Sequence, residues 1–203
     1  MTRRISVNVG GLWRTSVELK EEATWRDLET EIEKVTGVPT HLQKLEPNGE
    51  NDDNCELEEG DDVFCDWKLD FGCHPLHYAA MNGNIKAIIS WLASGADVNV
   101  KNVNGAMPLM YACLNLKEEC MMELLRLGAN VYVIDNDGNN ILHYIAHSNI
   151  KNMERIAKML IKAGCDSTIQ NINGETFIDI LKRRCGNKLA TKLEKWIKET
   201  RME

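Results

Sequence analysis

The chain has 203 residues, 43% of them hydrophobic and 27% charged, a globular composition that excludes a wholly disordered chain and allows one or two domains. Its net charge of −7 disfavours broad binding to nucleic acid or anionic membrane, and no apolar run approaches the roughly 20 residues of a membrane-spanning helix. The charge is uneven: Met1–Leu69 holds 17 acids against 8 bases and Asp70–Glu203 holds 14 against 16, which sets a domain boundary near residue 70.

Met1-Thr2-Arg3-Arg4 runs straight into an alternating pattern, so no secretory leader is expected. Ile5, Val7 and Val9 alternate with polar residues, Gly10-Gly11 offers a turn, and Val17 and Leu19 resume the alternation. This predicts a β-hairpin. Trp25, Leu28, Ile32 and Val35 then mark one face of a helix, with Thr24 as its N-cap, Asp27 in its first turn and Gly37 at its end. Val38-Pro39 leads to an extended segment at Leu42–Leu45. The stretch Glu50–Asp62 carries eight acids and no base. A closing strand follows, with Val63 and Cys65 facing inward and Phe64 and Asp66 outward.

Strand, strand, helix, strand, acidic loop and strand in about seventy residues resembles the ubiquitin-like β-grasp fold, with Leu42-Gln43-Lys44-Leu45 where ubiquitin has its third strand. The resemblance implies an α+β domain over residues 1–69. Its working features are absent: Trp67-Lys68-Leu69-Asp70 continues the chain with no diglycine, and Glu46 and Asp66 stand at the isoleucine and valine of the receptor patch. Desolvating two carboxylates is costly, so the domain is expected neither to conjugate nor to bind ubiquitin receptors.

The remaining residues repeat. Gly72, Gly105 and Gly138 are 33 residues apart. The phrases His74-Pro75-Leu76-His77-Tyr78-Ala79, Met107-Pro108-Leu109-Met110-Tyr111-Ala112 and Asn140-Ile141-Leu142-His143-Tyr144-Ile145 follow them. A second phrase ends at Gly95-Ala96-Asp97, Gly128-Ala129-Asn130 and Gly164-Cys165-Asp166, with three residues inserted in the third unit. A fourth unit starts at Gly174-Glu175-Thr176-Phe177-Ile178. Proline at the first helical turn costs no hydrogen bond, glycine after the second helix suits a left-handed terminus, and Asn104-Gly105, Asp137-Gly138 and Asn173-Gly174 are turn dipeptides. These units resemble ankyrin repeats, at about 70–102, 103–135, 136–171 and 172–203, which implies helix pairs with β-hairpin fingers stacked into a solenoid.

Leu181, Leu189, Leu193, Trp196 and Ile197 form an apolar stripe among lysines and arginines, predicting a C-terminal cap. Only Leu69-Asp70-Phe71 separates the first repeat from the preceding domain, so that domain is expected to dock as the N-terminal cap. Cys73, His74 and His77 lack the spacing of a metal site. The histidine of this phrase, recurring as His143, is expected to bond backbone at the helix start. Tyr78, Tyr111 and Tyr144 are expected to pack inward. Seven cysteines without a CxxC pair fit a reduced cytosol or nucleus, with Cys113, Cys120 and Cys165 buried and Cys55 exposed.

No phosphate loop, GxSxG or HExxH occurs, so no enzyme, cofactor or metal is expected. The pairing of the two modules resembles the ankyrin-repeat and ubiquitin-domain family, which implies a cytoplasmic, nucleocytoplasmic or cytoskeleton-associated interaction adaptor or scaffold. The alternatives are a structural subunit of a cytoskeletal or axonemal assembly and an adaptor to the ubiquitin–proteasome system. By resemblance to other ankyrin arrays, the protein partner is expected on the concave face, at Phe71, Cys73, Met81, Asn82, Val103, Asn104, Leu114, Asn115, Ile134, Asn136, Asn139, His147 and Ile172. The basic C-terminal helix is a secondary contact.

Overall fold

The computed structural model describes residues 2–9, 13–20, 23–47, 62–67, 73–148 and 152–200. Most of the acidic stretch, Cys55, the segment joining the two units and Phe71 lie outside the described residues.

β1 (Thr2–Val9) and β2 (Trp13–Lys20) pair antiparallel, as their alternation predicts. β4 (Asp62–Trp67) pairs parallel to β1, and β3 (Gln43–Pro47) pairs antiparallel to β4, giving the sheet order β2-β1-β4-β3. The extended segment foreseen from Leu42 opens as a 3-10 turn at Thr40–Leu42, and its strand begins at Gln43. Ile5, Val7, Val17 and Leu19 are buried together with Leu28 and Ile32 of α1 (Trp25–Thr36). The inward and outward assignment of Val63–Asp66 falls on side chains outside the described ones. In backbone register Lys44 faces Asp66, and Glu46 faces Phe64.

Thr24 and Asp27 cap α1 reciprocally: the Asp27 carboxylate accepts the Thr24 N–H at 2.8 Å and the Thr24 hydroxyl accepts the Asp27 N–H. Those bonds hold the Asp27 carboxyl below its usual range.

Four helix pairs follow. They are α2 (Pro75–Asn82) with α3 (Ile85–Ala93), α4 (Pro108–Leu114) with α5 (Glu118–Arg126), α6 (Ile141–His147) with α7 (Met153–Lys162), and α8 (Phe177–Cys185) with α9 (Asn187–Thr200). The first helices pack in series, α2 on α4, α4 on α6 and α6 on α8. Leu76, Leu109, Leu142 and Ile178, equivalent by the repeat period, are all buried. Each such burial contributes about 1.5–3 kcal/mol of transfer free energy, which one helix pair alone could not realise. Ala190, Leu193 and Ile197 bury one side of α9, and the Lys158 ammonium lies 5.3 Å above the Trp196 ring.

The other end of the stack is closed by α1, which packs on α3 and α2. A helix leaves its last carbonyls without intrahelical donors. Here Asn84 Nδ2 donates to Lys34 O (2.8 Å), Trp91 Nε1 to Thr36 O (2.9 Å) and Asn82 Nδ2 to Gly37 O (3.2 Å). Side chains of the first repeat thus cap the helix of the N-terminal unit. Gly37 has φ +77, and a Cβ there would stand 2.7 Å from the Ala79 Cα. Only glycine permits that turn and that approach. Leu76, Ala80 and Ile88, which a free first repeat would expose, are 0% accessible.

Candidate partner-binding face

Each described finger is a short turn closed by two backbone bonds: Asn102 N–H to Ala106 O and Gly105 N–H to Asn102 O, Asp135 N–H to Asn139 O and Gly138 N–H to Asp135 O, and Asn171 N–H to Glu175 O and Gly174 N–H to Asn171 O. The fingers are also joined to one another, by Asn136 N–H to Asn104 O and Ile172 N–H to Asp137 O, both 2.9 Å. Tyr111 and Tyr144 brace them from the first helices. Tyr144 Oη donates to Asp135 Oδ2 at 2.9 Å, and Asn102 Nδ2 donates to Tyr111 Oη at the same distance. Tyr111 and Tyr144 are half-buried and pack against the core, as expected, while their hydroxyls reach the fingers; Tyr78 is half-buried as well. Burial first, and then the Asp135 bond, raises the Tyr144 hydroxyl pKa, so it stays a donor.

The histidines act as their phrase predicts. His77 Nδ1 accepts the His74 N–H and its Nε2 meets Ala106 O at 3.1 Å, while His143 Nδ1 accepts the Asn140 N–H and its Nε2 meets Glu175 O at 3.0 Å. Each imidazole ties a helix start to the next finger. Burial lowers both pKa values. His74 is driven lower still, to about 4, by burial and then by His77. Its Nδ1 accepts the Leu76 N–H at 3.1 Å. Among the described residues no group of three His, Cys, Asp or Glu could hold a metal ion.

The candidate residues divide. Val103, Ile134 and Ile172 are 63%, 42% and 70% exposed, all on fingers. Met81 and Leu114 are half-buried at equivalent last-turn positions of α2 and α4, and His147 is exposed at that position of α6. Burial, and then the Arg184 and Arg183 guanidiniums, lower the His147 pKa, so three basic side chains gather at this end. Asn104 and Asn115 are exposed, and Asn115 Nδ2 turns back to Tyr111 O.

One expectation is corrected. Cys73 is 5% exposed, its sulfur against Tyr111 Oη at 3.4 Å, because it packs under the second finger. Asn82 caps α1. Asn136 is exposed while its Nδ2 donates to Val103 O, and half-buried Asn139 bonds both Asp135 and Asn171, so both also tie the fingers together.

Sequence reasoning missed Ile89, Met122 and Tyr132, exposed away from the fingers. Their positions carry no phrase of the repeat, and for Ile89 and Met122, on α3 and α5, a helical stripe does not say which flank solvent covers. A cleft of about 600 Å³ at the helix–helix turns is lined by Lys117, Met122, Glu118 and Arg155, the last two ion-paired across it. Cys120 and Cys165 are buried and their thiols pushed up to about 12, chiefly by burial, so they are unreactive packing residues. No helix of the described residues is long and apolar enough to cross a membrane.

Residues 76–171 match the family model for ankyrin repeats, in 3 copies. No match is found among curated proteins. The chain therefore contains ankyrin repeats, modules that generally mediate protein–protein interaction.

Proposed function

We propose that the chain is a non-enzymatic, cytoplasmic adaptor or scaffold that binds a protein partner along the concave face made by the fingers and first helices, with a non-conjugating ubiquitin-like domain as its N-terminal cap. The observation that carries the proposal is the placement of exposed apolar side chains. Three of the six large hydrophobics that stand exposed among the described residues, Val103, Ile134 and Ile172, are on successive fingers. Scattered exposed apolar residues need no explanation. A row of them beside half-buried Met81 and Leu114 marks a contact surface, held rigid by the tyrosine braces and finger-to-finger bonds. What supports the β-grasp reading is the order β2-β1-β4-β3 with parallel β1 and β4 at its centre, and one helix between β2 and β3.

The test is affinity capture from the native source with the wild-type chain and with Leu114→Glu combined with Ile134→Glu, after a check that the melting temperature is unchanged. Apolar anchors of this kind often cost more than about 1 kcal/mol when truncated, so a specific partner is lost or weakened several-fold. Wild-type recovery on the variant refutes the face.

A further inference from the structure

We infer that this face is polar along its length, and that it takes an extended peptide with apolar side chains on the first two repeats and carboxylates on the last two. The inference rests on the partner site proposed above and adds the chemistry of what fills it.

The last-turn position of the four first helices is Met81, Leu114, His147 and Arg183, spaced by 33, 33 and 36 residues. These helices pack in sequence, so the four side chains make one row. The next position continues the trend as Asn82, Asn115, Ser148 and Arg184. Two thioether or aliphatic groups thus give way to an imidazole and two guanidiniums. Between Cys73 and Lys117 the sequence holds one carboxylate, Asp97, in the loop after α3. The apolar end therefore offers an incoming carboxylate no cation on the row.

At the other end the positive charge is open to exchange. Arg183 leans on Glu175 at 3.1 Å in an exposed pair, and such pairs contribute little and yield to a competing carboxylate. Arg184 donates to the carbonyls of Ala146 and Ser148, closing the C-terminus of α6, and no carboxylate among the described residues bonds to it. Among the described finger residues Asp137, at the tip of the 135–139 finger, is the exposed acid, so ligand carboxylates belong against the helix-end row. Guanidinium favours carboxylate by its paired donors, and charge complementarity of this kind fixes register.

Geometry gives the spacing. Packed helices lie about 8–10 Å apart, and an extended chain advances about 3.3 Å per residue, so one repeat spans about three residues. The peptide carries two apolar side chains about three residues apart, and its two carboxylates follow about three and about six residues beyond the second.

The test uses the full chain and a labelled peptide of about twelve residues with two leucines and two aspartates at that spacing, in both chain directions, followed by fluorescence anisotropy. One direction binds saturably, more weakly as salt is raised. Arg183→Glu with Arg184→Glu, at unchanged melting temperature, weakens it about tenfold or more, and a peptide with lysines for aspartates regains binding to that variant. Where charge reversal unfolds the protein, Arg183→Gln with Arg184→Gln replaces it and still weakens the aspartate peptide several-fold. If neither direction binds, or charge reversal leaves affinity unchanged while Leu114→Glu abolishes it, the polarity is wrong and the face stands on its own test. If Leu114→Glu also leaves peptide affinity unchanged, the peptide lies elsewhere and the inference falls with it.

Discussion

Gly37→Ala probes the joint between the N-terminal unit and the repeats at its tightest point. Two costs add there. The residue holds φ +77, and a side chain in that left-handed region costs about 1–2 kcal/mol. The new Cβ would also meet the Ala79 Cα at 2.7 Å and its Cβ at 2.8 Å. Both belong to the body of α2, so relief requires the two units to move apart, at about 1–3 kcal/mol for an overpacked contact. The expected loss is about 2–5 kcal/mol. Gly95→Ala is the matched control, because Gly95 has φ +96 with nothing within 4 Å of its added Cβ. It should lose only the conformational part, about 1–2 kcal/mol. Urea unfolding of the full chain, followed by tryptophan fluorescence and far-ultraviolet dichroism, measures both. Equal losses in the two variants, within about 0.5 kcal/mol, would show that the units do not approach as described.

Three other perturbations test neighbouring parts of the account. Trp91→Phe replaces the buried indole with a smaller phenyl and leaves the Thr36 carbonyl without its 2.9 Å donor; urea unfolding should show a loss of about 1–3 kcal/mol or more, and a neutral result would mean that bond is not made. Tyr144→Phe removes the brace on Asp135, and should speed amide exchange at Asn136 and Gly138 while costing about 1–2 kcal/mol; unchanged exchange would show that the finger stands without it. His74 has a folded pKa of about 4 against an ordinary 6.5, so between those values the unfolded chain binds a proton that the folded chain excludes. Stability from this group is therefore fully present above about pH 6.5 and declines as pH falls toward 4. His74→Asn supplies a non-titrating acceptor of the kind Asn140 already provides, and should flatten that part of the thermal-stability profile; a variant curve parallel to wild type would refute the assignment.

The repeat was legible because its spacing is a backbone requirement: proline where a helix starts, histidine where a finger must be tied to it, glycine where it ends. The hairpin and α1 were legible for the same reason, through alternation at Ile5 and Val7 and the Thr24 cap. What escaped were contacts made across long sequence separations. Asn82 bonds a carbonyl 45 residues away, and nothing in its own phrase marks it as a cap for α1. Asn136 and Asn139 were placed on the face as finger positions, and the bonds they make to neighbouring fingers were not foreseen. Whether an asparagine spends its donors on the next finger depends on the neighbour's backbone, which no local pattern encodes. Cys73 failed for a related reason, since its burial comes from Tyr111 of the following repeat. The aliphatic finger residues Val103, Ile134 and Ile172 have no side-chain donors to spend, and they are the large apolar candidates that stand exposed.

The most direct test of the partner face is a hydrogen-exchange footprint of the full chain, alone and with the partner recovered from the native source. The account predicts slowed exchange in the fingers, at residues 101–105, 134–139 and 171–174, and at the ends of α4 and α6. Protection confined to α3, α5 and α7, around Ile89 and Met122, with the fingers unchanged, would contradict it.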